Sequence, residues 1–530
     1  MIAWHQLKNT MSNGQVSRRR FLQQASALGV SAAVAGTFAS GAGHAASPKP
    51  GGRIRVGLAH GSTTDSLDPA IAGENGFMGV LNYANHNHLA DVSNSGVLEP
   101  ELAESWEGTN GATQWTFKLR KGVEFHNGKT LDAQDVVASI NYHRGDDSKS
   151  AGKPMLADLA EVKADGPEVV TFTLKAGNAD FPFTISEAYF MILPSEDGQI
   201  NWQDRAASGP FVLQEFEPGV RAFFTKNQNY FKEGRPYFDE LEMLTIADAA
   251  ARSNALTTGS VDLIDRVDLK TAHLLARQDN IRLEETEGML HYTFPMLGDM
   301  APFDNNDVRL ALKYALDREK LVQTILYGHG SVGNDHPISK ISPHHASHLE
   351  QRQYDPDKAK FHLKRAGLDS LSVSIHLADA AFSGAVDAGV LYREHAAKAG
   401  IDINVVREPS DGYWSNVWLK KPWCASYWLG RVSTDALLQI TYAADAEWNE
   451  THFQNQRFNK LLSEARAEFD EAKRREMYFE IQEIIRNDSG QIVPMFGNYV
   501  FASSSKLQHG DMRGDRDLDG QKFSERWWFS

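Results

Sequence analysis

The chain has 530 residues, of which 42% are hydrophobic and 23% are charged, and its formal net charge is -15 at pH 7. This length exceeds what one hydrophobic core usually supports, so two or three domains are expected. The negative charge argues against nucleic acid and anionic membrane surfaces as partners, because both attract basic faces. With a single cysteine, Cys424, an internal disulfide is excluded.

The first 46 residues are predicted to be an export signal. Residues 17–23 (SRRRFLQ) resemble a twin-arginine motif, and an Ala/Gly-rich stretch follows them. Small residues at 43–46 mark the expected cleavage site, with uncleaved anchoring as the alternative. We therefore expect export to the periplasm by the twin-arginine pathway.

The first half of the mature chain begins with a predicted strand over residues 53–58. Three apolar residues in 115–119 (WTFKL) alternate with polar ones, which is the period of a half-buried strand. Asn127-Gly128 predicts a tight turn, and Asp132 is the predicted N-cap of a helix.

The second half predicts a strand-helix-strand unit. Asp355 precedes a helix that Gly367 ends, and strands are predicted over 371–377 and 401–405 with a helix between them. This order indicates a partly parallel sheet with helical cover. Two later helices are predicted over 458–469 and 472–486.

Several longer motifs occur together and in order over about residues 52–503. They are 102–107 (LAESWE), 115–142, Gly209-Pro210-Phe211, 229–240, 258–262, 303–321 (FDNNDVRLALKYALDREKL) and 354–367. Through them the chain resembles the dipeptide- and oligopeptide-binding proteins of bacterial ABC importers, extracellular solute-binding protein family 5.

The resemblance implies an α/β, bilobed periplasmic binding protein fold. Two mixed α/β lobes would be joined by a two-strand hinge near 291–297 and 493–500, with an extra subdomain in the larger lobe. The expected bounds are 1–46 for the signal, 47–292 for the larger lobe with a subdomain near 95–208, 293–497 for the smaller lobe, and 498–530 for the return to the larger lobe.

The resemblance also implies a function without catalysis or cofactor. We expect a monomeric substrate-binding subunit that captures a short peptide or an amino-acid-derived solute between its lobes and delivers it to membrane permease subunits. The alternatives are an opine-like acidic compound, an oligosaccharide, nickel or haem. A twin-arginine-exported cofactor enzyme is a further alternative, but no cofactor motif supports it.

An aromatic stretch over residues 413–435 holds four of the 11 tryptophans. Large rings beside a few charges are typical of a cleft that holds an organic ligand, although a tryptophan-rich core would have the same composition. The resemblance makes Trp428 and Trp414 candidate stacking residues. Tyr427 is a weaker candidate, because it faces away from Trp428 in a strand.

In peptide-binding relatives an aspartate that follows the cleft tryptophan pairs with the amino terminus of the ligand. At that place this chain has Arg431, so the charge is reversed. Two hypotheses remain open: Arg431 pairs with an anion of the ligand, or an internal carboxylate such as Asp435 neutralises it.

The loop after the first strand supplies the other candidates. In relatives this loop lines the cleft, and Asp65 would offer a carboxylate to an amine; alternatively, these residues only cap a turn. The candidate ligand-binding residues are Trp428, Arg431, Trp414, Tyr427, Asp435, Thr63, Thr64 and Asp65.

Other motifs are set aside. Residues 122–130 and 328–333 approach phosphate-binding patterns but lack the required spacing or strand-loop-helix context. Cys424 is predicted to be a buried packing residue. Histidines at 86, 88, 336, 344, 345 and 348 lie in polar, turn-rich stretches and are expected to be solvated, so no metal site is predicted.

Overall fold

The structure is a computed structural model that describes residues 48–71 and 76–530. The predicted export signal lies outside these residues. Within them, every helix is too short or too polar to cross a membrane.

The larger lobe is built on a seven-stranded mixed sheet. The first predicted strand, Arg53–Leu58, lies at its centre and pairs in parallel with Glu240–Thr245 and Leu263–Ile264. Ile54 and Val56 are fully buried in the lobe's core. In sheet order the strands are Phe211–Glu217, Arg221–Lys226, Glu240–Thr245, Arg53–Leu58, Leu263–Ile264, Tyr499–Ser504 and Ile281–Thr286.

Helices and two short strand pairs complete this lobe. Phe77 and Phe523 bring their helices into the same core as the sheet. The helices are Gly76–Asn85, Ala249–Thr257, Ala272–Leu275 and Phe523–Arg526, and the strand pairs are Ala90–Val92 with Leu98–Pro100 and Leu507–Gln508 with Trp528–Phe529.

An inserted subdomain has its own antiparallel sheet and core. Trp115, Phe117 and Leu119 are buried, as their alternation predicts. The Asp132 carboxylate accepts hydrogen bonds from backbone N–H groups at the start of the next helix, which confirms the predicted N-cap. In sheet order the strands are Ala103–Thr109, Gln114–Leu119, Val169–Leu174 and Leu159–Ala164, beside the helices Ala133–Tyr142 and Phe181–Thr184, the 3-10 turns Lys153–Leu156 and Trp202–Asp204, and the hairpin Ser195–Glu196 with Gln199–Ile200.

The smaller lobe combines two sheets with most of the remaining helices. Leu371–Leu377 and Ile401–Arg407 pair in parallel around the helix Ala385–Ala397, which confirms the strand-helix-strand prediction. The second sheet has the order Gly330–Val332, Met495–Gly497, His291–Thr293 and Ser426–Trp428. The other helices are Asn306–Tyr314, Arg318–Ile325, Pro356–Arg365, Tyr413–Asn416, Thr434–Tyr442, Gln456–Ala467 and Glu471–Asp488.

Two chain segments join the lobes. One lies between Thr286 in the large sheet and His291 in the small sheet, and the other lies at Asn498. The Gly497 N–H donates a hydrogen bond to the carbonyl oxygen of Leu290 over 2.9 Å. The two segments therefore contact each other, as a two-strand hinge requires, while the exact domain bounds stay predictions.

Candidate functional site

A cavity of about 170 Å³, here called the interlobe cavity, lies between the smaller lobe and the inserted subdomain. It is smaller than the ~300–1,000 Å³ of a typical small-molecule site, so its volume suffices for one small chemical group and not for a whole peptide. Its polar lining is Asp158, Asn178 and Thr184 from the subdomain, and Arg431, Asp435 and Arg466 from the smaller lobe.

The helix Thr434–Tyr442 positions one wall of the interlobe cavity. Ser433 is its N-cap, since the Ser433 hydroxyl accepts a hydrogen bond from the backbone N–H of Ala436 over 3.0 Å. Asp435 therefore lies in the first helical turn, where its side chain is buried. Burial raises the pKa of the Asp435 carboxyl to about 7, because the charged form loses its hydration.

Asp435 pairs with Arg466 rather than with Arg431. Its Oδ2 lies 3.4 Å from Nε of Arg466, and Nη2 of Arg466 lies 3.0 Å from Oδ2 of Asp158. The structure therefore gives Asp435 a different partner from the one in the second hypothesis, in which it neutralises Arg431.

Arg431 lines the same cavity and is partly exposed. Among residues 48–71 and 76–530, no group makes a hydrogen bond or ion pair with its guanidinium. The preceding residue, Gly430, packs on the first hinge segment so tightly that a Cβ there would overlap Met289. Arg431 thus lies close to both the cavity and the hinge.

The aromatic candidates lie around the strand Ser426–Trp428. Trp428 is 9% exposed, whereas Tyr427 is 38% exposed on the opposite face, so the predicted alternation is confirmed. Trp414 is 40% exposed, and its ring centroid lies 5.7 Å from that of Tyr427. Trp423 is fully buried in the core, and Cys424 is buried beside it, as predicted, without a disulfide partner.

A buried carboxylate that the sequence reasoning missed organises this aromatic cluster. Glu450 Oε1 accepts hydrogen bonds from the Trp428 indole N–H over 2.9 Å and from the Gln491 amide over 2.7 Å. Its Oε2 accepts one from the Trp418 indole N–H over 2.8 Å. Because these partners lie at least 22 residues from Glu450 in the sequence, no local sequence pattern predicts these hydrogen bonds.

A second missed group, here called the interlobe cluster, consists of Asp180, Ser433 and Arg474. Asp180 belongs to the subdomain and is 2% exposed. It accepts a hydrogen bond from the Ser433 hydroxyl over 2.6 Å and one from Nη1 of Arg474 over 2.6 Å. The interlobe cluster therefore holds the smaller lobe against the subdomain beside the interlobe cavity.

The structure places Thr63, Thr64 and Asp65 in a turn and not in the lining of the interlobe cavity. The Asp65 carboxylate accepts a hydrogen bond from the Ser62 N–H over 2.8 Å, and the Ser62 and Thr64 hydroxyls lie 2.8 Å apart. These contacts correspond to the turn-capping alternative. A ligand role for the three residues stays a prediction.

The expectation that the histidines are solvated is wrong for four of them. His86, His88, His336 and His344 are buried, because tertiary packing covers the turns that contain them. Neither ring nitrogen of His336 has a hydrogen-bond partner among the described residues. Over that same part of the chain, no group of three or more His, Cys, Asp or Glu side chains is arranged to hold a metal ion.

A larger cavity of about 830 Å³ lies outside the cleft, where the C-terminal tail meets the larger lobe. Several of its charged side chains have protein partners: Arg526 contacts Asp91 and Asp519 at 3.3 Å, and Lys232 contacts Glu525, which lies behind the lining, at 3.0 Å. For these side chains the internal pairing accounts for the buried charge without a ligand.

Comparison with known proteins identifies the class of fold. The model of the bacterial extracellular solute-binding proteins, family 5 (middle), matches residues 97–450. The oligopeptide-binding protein AppA of Bacillus subtilis is 26% identical over 465 residues, which cover 81% of this chain and 83% of that protein.

Two solved structures share the architecture. The periplasmic binding protein DppA of Helicobacter pylori, in complex with the peptide STSA, has a TM-score of 0.72 and 22% identity, covering 91% of this chain and 99% of that one. AgaA of A. tumefaciens R10, in complex with agropinic acid, has a TM-score of 0.72 and 23% identity, covering 90% and 99%.

Proposed function

Because the chain belongs to family 5 of the bacterial extracellular solute-binding proteins, we propose that it is the substrate-binding subunit of an ABC importer. Its ligand in this proposal is a short peptide or a peptide-like, amino-acid-derived solute. The protein itself performs no chemistry on the ligand and delivers it to permease subunits in the membrane.

The observation that carries this proposal is the interlobe cavity beside a two-segment hinge. Residues from both sides of the cleft line the cavity, and the chain passes between the lobes near Leu290 and Asn498. This geometry suits a protein whose lobes open to admit a solute and close to retain it.

A free strand edge supports an extended, peptide-like ligand. Within residues 48–71 and 76–530, Ser426–Trp428 is the edge strand of its sheet and pairs with His291–Thr293 alone. In this proposal a ligand main chain pairs with the outer edge of the strand, and the exposed rings of Tyr427 and Trp414 offer apolar area beside it. Arg431, three residues beyond the end of the strand, lines the interlobe cavity.

Export and partners belong to the same proposal. The twin-arginine motif in residues 17–23 would bring the folded chain to the periplasm, where the outer rims of both lobes would contact two permease subunits. The net charge of -15 is consistent with a protein that acts free of anionic lipid surfaces.

Native mass spectrometry of the protein isolated from the periplasm tests the proposal. We expect an added mass equal to a short peptide or an amino-acid derivative, and a rise in melting temperature when that compound is added back without turnover. At a hundredfold excess over Kd, the added stability should be about 2.7 kcal/mol. Bound haem or nickel, a coloured redox cofactor, or consumption of the compound would contradict it.

A further inference from the structure

The two arginines that line the interlobe cavity, Arg431 and Arg466, differ in their contacts with carboxylates. Arg466 contacts two carboxylates, those of Asp158 and Asp435, and both face the same cavity. Because each carboxylate is directed at Arg466, neither serves as the partner of the second cation in the cavity, Arg431.

Arg431 therefore presents a guanidinium to the cavity without a protein partner among the described residues. A partly exposed arginine retains its hydration, but closure around a ligand would remove that water. Guanidinium is always charged, so it then requires an acceptor, and its planar fork of donors matches a carboxylate.

The size of the cavity limits what enters it. A volume of about 170 Å³ is close to that of an engineered cavity of ~150 Å³ that holds one benzene ring. A carboxylate with a short aliphatic stem fits such a space, and Met155 and Ile440 supply apolar contact for the stem. The rest of a larger ligand must lie outside, toward the strand Ser426–Trp428.

We propose that Arg431 is a specificity-determining residue that binds a carboxylate on a short side chain or at the C-terminus of the ligand, within the interlobe cavity. The inference rests on the proposed function and adds the chemical class of the ligand. Acidic peptides and dicarboxylic amino-acid derivatives are the favoured solutes, and their amides are disfavoured.

Calorimetry on the full mature chain tests this inference with matched probes. The probes are the blocked-C-terminus peptides Ala-Ala-Glu-NH2, Ala-Ala-Gln-NH2 and Ala-Ala-Lys-NH2, the free peptide Ala-Ala-Ala, and N-carboxyethyl amino acids as non-peptide acids. We expect the carboxylate probes to bind at least tenfold more tightly than the amide or lysine probes, since hydrogen bonds to charged groups are the stronger ones.

Variants assign the effect to the cavity. Arg431→Gln should weaken the carboxylate probes about 10- to 100-fold, and Arg431→Asp should shift the preference toward the lysine probe. Arg277→Gln removes the same charge at an exposed position outside the cavity and should change nothing. Melting curves without ligand verify that each variant folds.

The outcomes separate the inference from the proposed function. If peptides bind regardless of charge and Arg431→Gln has no effect, the inference is wrong and the peptide-binding function stands. If only the non-peptide acids bind and require Arg431, the inference holds and the peptide part of the function is wrong. If no carboxylate probe binds, the inference is overturned.

Discussion

Arg474 donates a hydrogen bond to Asp180 over 2.6 Å although 294 residues separate them in the chain. One residue belongs to the smaller lobe and the other to the inserted subdomain, so this buried contact exists only while the lobes are together. We therefore expect it to favour the arrangement in which the smaller lobe contacts the subdomain beside the interlobe cavity.

Asp180→Ala is expected to favour the open form. The change removes the acceptor of both Arg474 and Ser433, and the loss of about 2 kcal/mol from the closed state should raise the Kd of the physiological ligand about 30-fold. Small-angle scattering should show a larger radius of gyration without ligand. Arg457→Ala breaks an exposed pair with Glu480 inside one lobe and is the control, with no expected effect. Unchanged affinity in Asp180→Ala would contradict a closing role.

The hinge leaves no room for a side chain at Gly288. A Cβ there would overlap the carbonyl oxygen of Gly497 on the neighbouring segment. We expect Gly288→Ala to lower the free energy of unfolding by about 1–3 kcal/mol, as overpacking usually does, measured by urea titration. Gly510→Ala is the control, since a Cβ at Gly510 would contact nothing. Equal stability of the two variants would show that the hinge segments separate easily.

Glu450 is expected to be a strong stability determinant. Glu450→Leu leaves the indole N–H groups of Trp418 and Trp428 buried without an acceptor, which should cost about 3 kcal/mol in the free energy of unfolding. Glu450→Gln keeps one acceptor oxygen and should cost less. Glu447→Leu, at an exposed site three residues away, should stay within about 0.5 kcal/mol of the parent. A Leu variant as stable as the Gln variant would contradict this role.

Buried histidines should make the protein acid-sensitive. Burial lowers the pKa of His86 and His336 to about 3 and that of His88, His143 and His291 to about 4. Between about pH 4 and 6.5 these histidines are protonated in the unfolded chain but largely neutral in the folded chain, because an unfolded histidine has a pKa near 6.5. The free energy of unfolding should therefore fall as the pH drops through this window.

Four buried aspartates, among them Asp265 and Asp519, have raised pKa values that oppose this trend. Burial raises the pKa of Asp435 and Asp517 to about 7, so over about pH 4–7 the folded chain binds protons that the unfolded chain releases. Because burial lowers the pKa of eight histidines and raises that of four aspartates, the net slope should follow the histidines. His336→Leu should reduce it by up to about 1.4 kcal/mol per pH unit relative to the parent protein. Denaturant titrations from pH 4.5 to 7 measure the slopes, and identical slopes would contradict the assignment.

Local patterns in the sequence predicted much of the fold. The alternation around Phe117, the N-caps Asp132 and Asp355, and the stop at Gly367 all lie where they were expected. These features depend on neighbours within a few residues, and local backbone preference and side-chain period determine them. The family motifs, which follow the chain in order, also identified the bilobed architecture.

The prediction of solvated histidines failed because it used only the residues near each histidine in the sequence. His86, His336 and His344 lie in polar segments, but burial depends on which distant elements cover a turn. The amino-acid composition around a histidine does not contain that information.

By itself, the sequence determined the strands and helices that have a clear local pattern, the family and the reversal of charge at Arg431, since residues close in the chain or shared motifs carry each of these. Only the tertiary structure decided that Asp435 pairs with Arg466, that Asp180 binds Arg474 and that Glu450 binds two indoles. Such pairings join residues from separate lobes or elements, and chain topology alone sets which of many carboxylates meets which cation or indole.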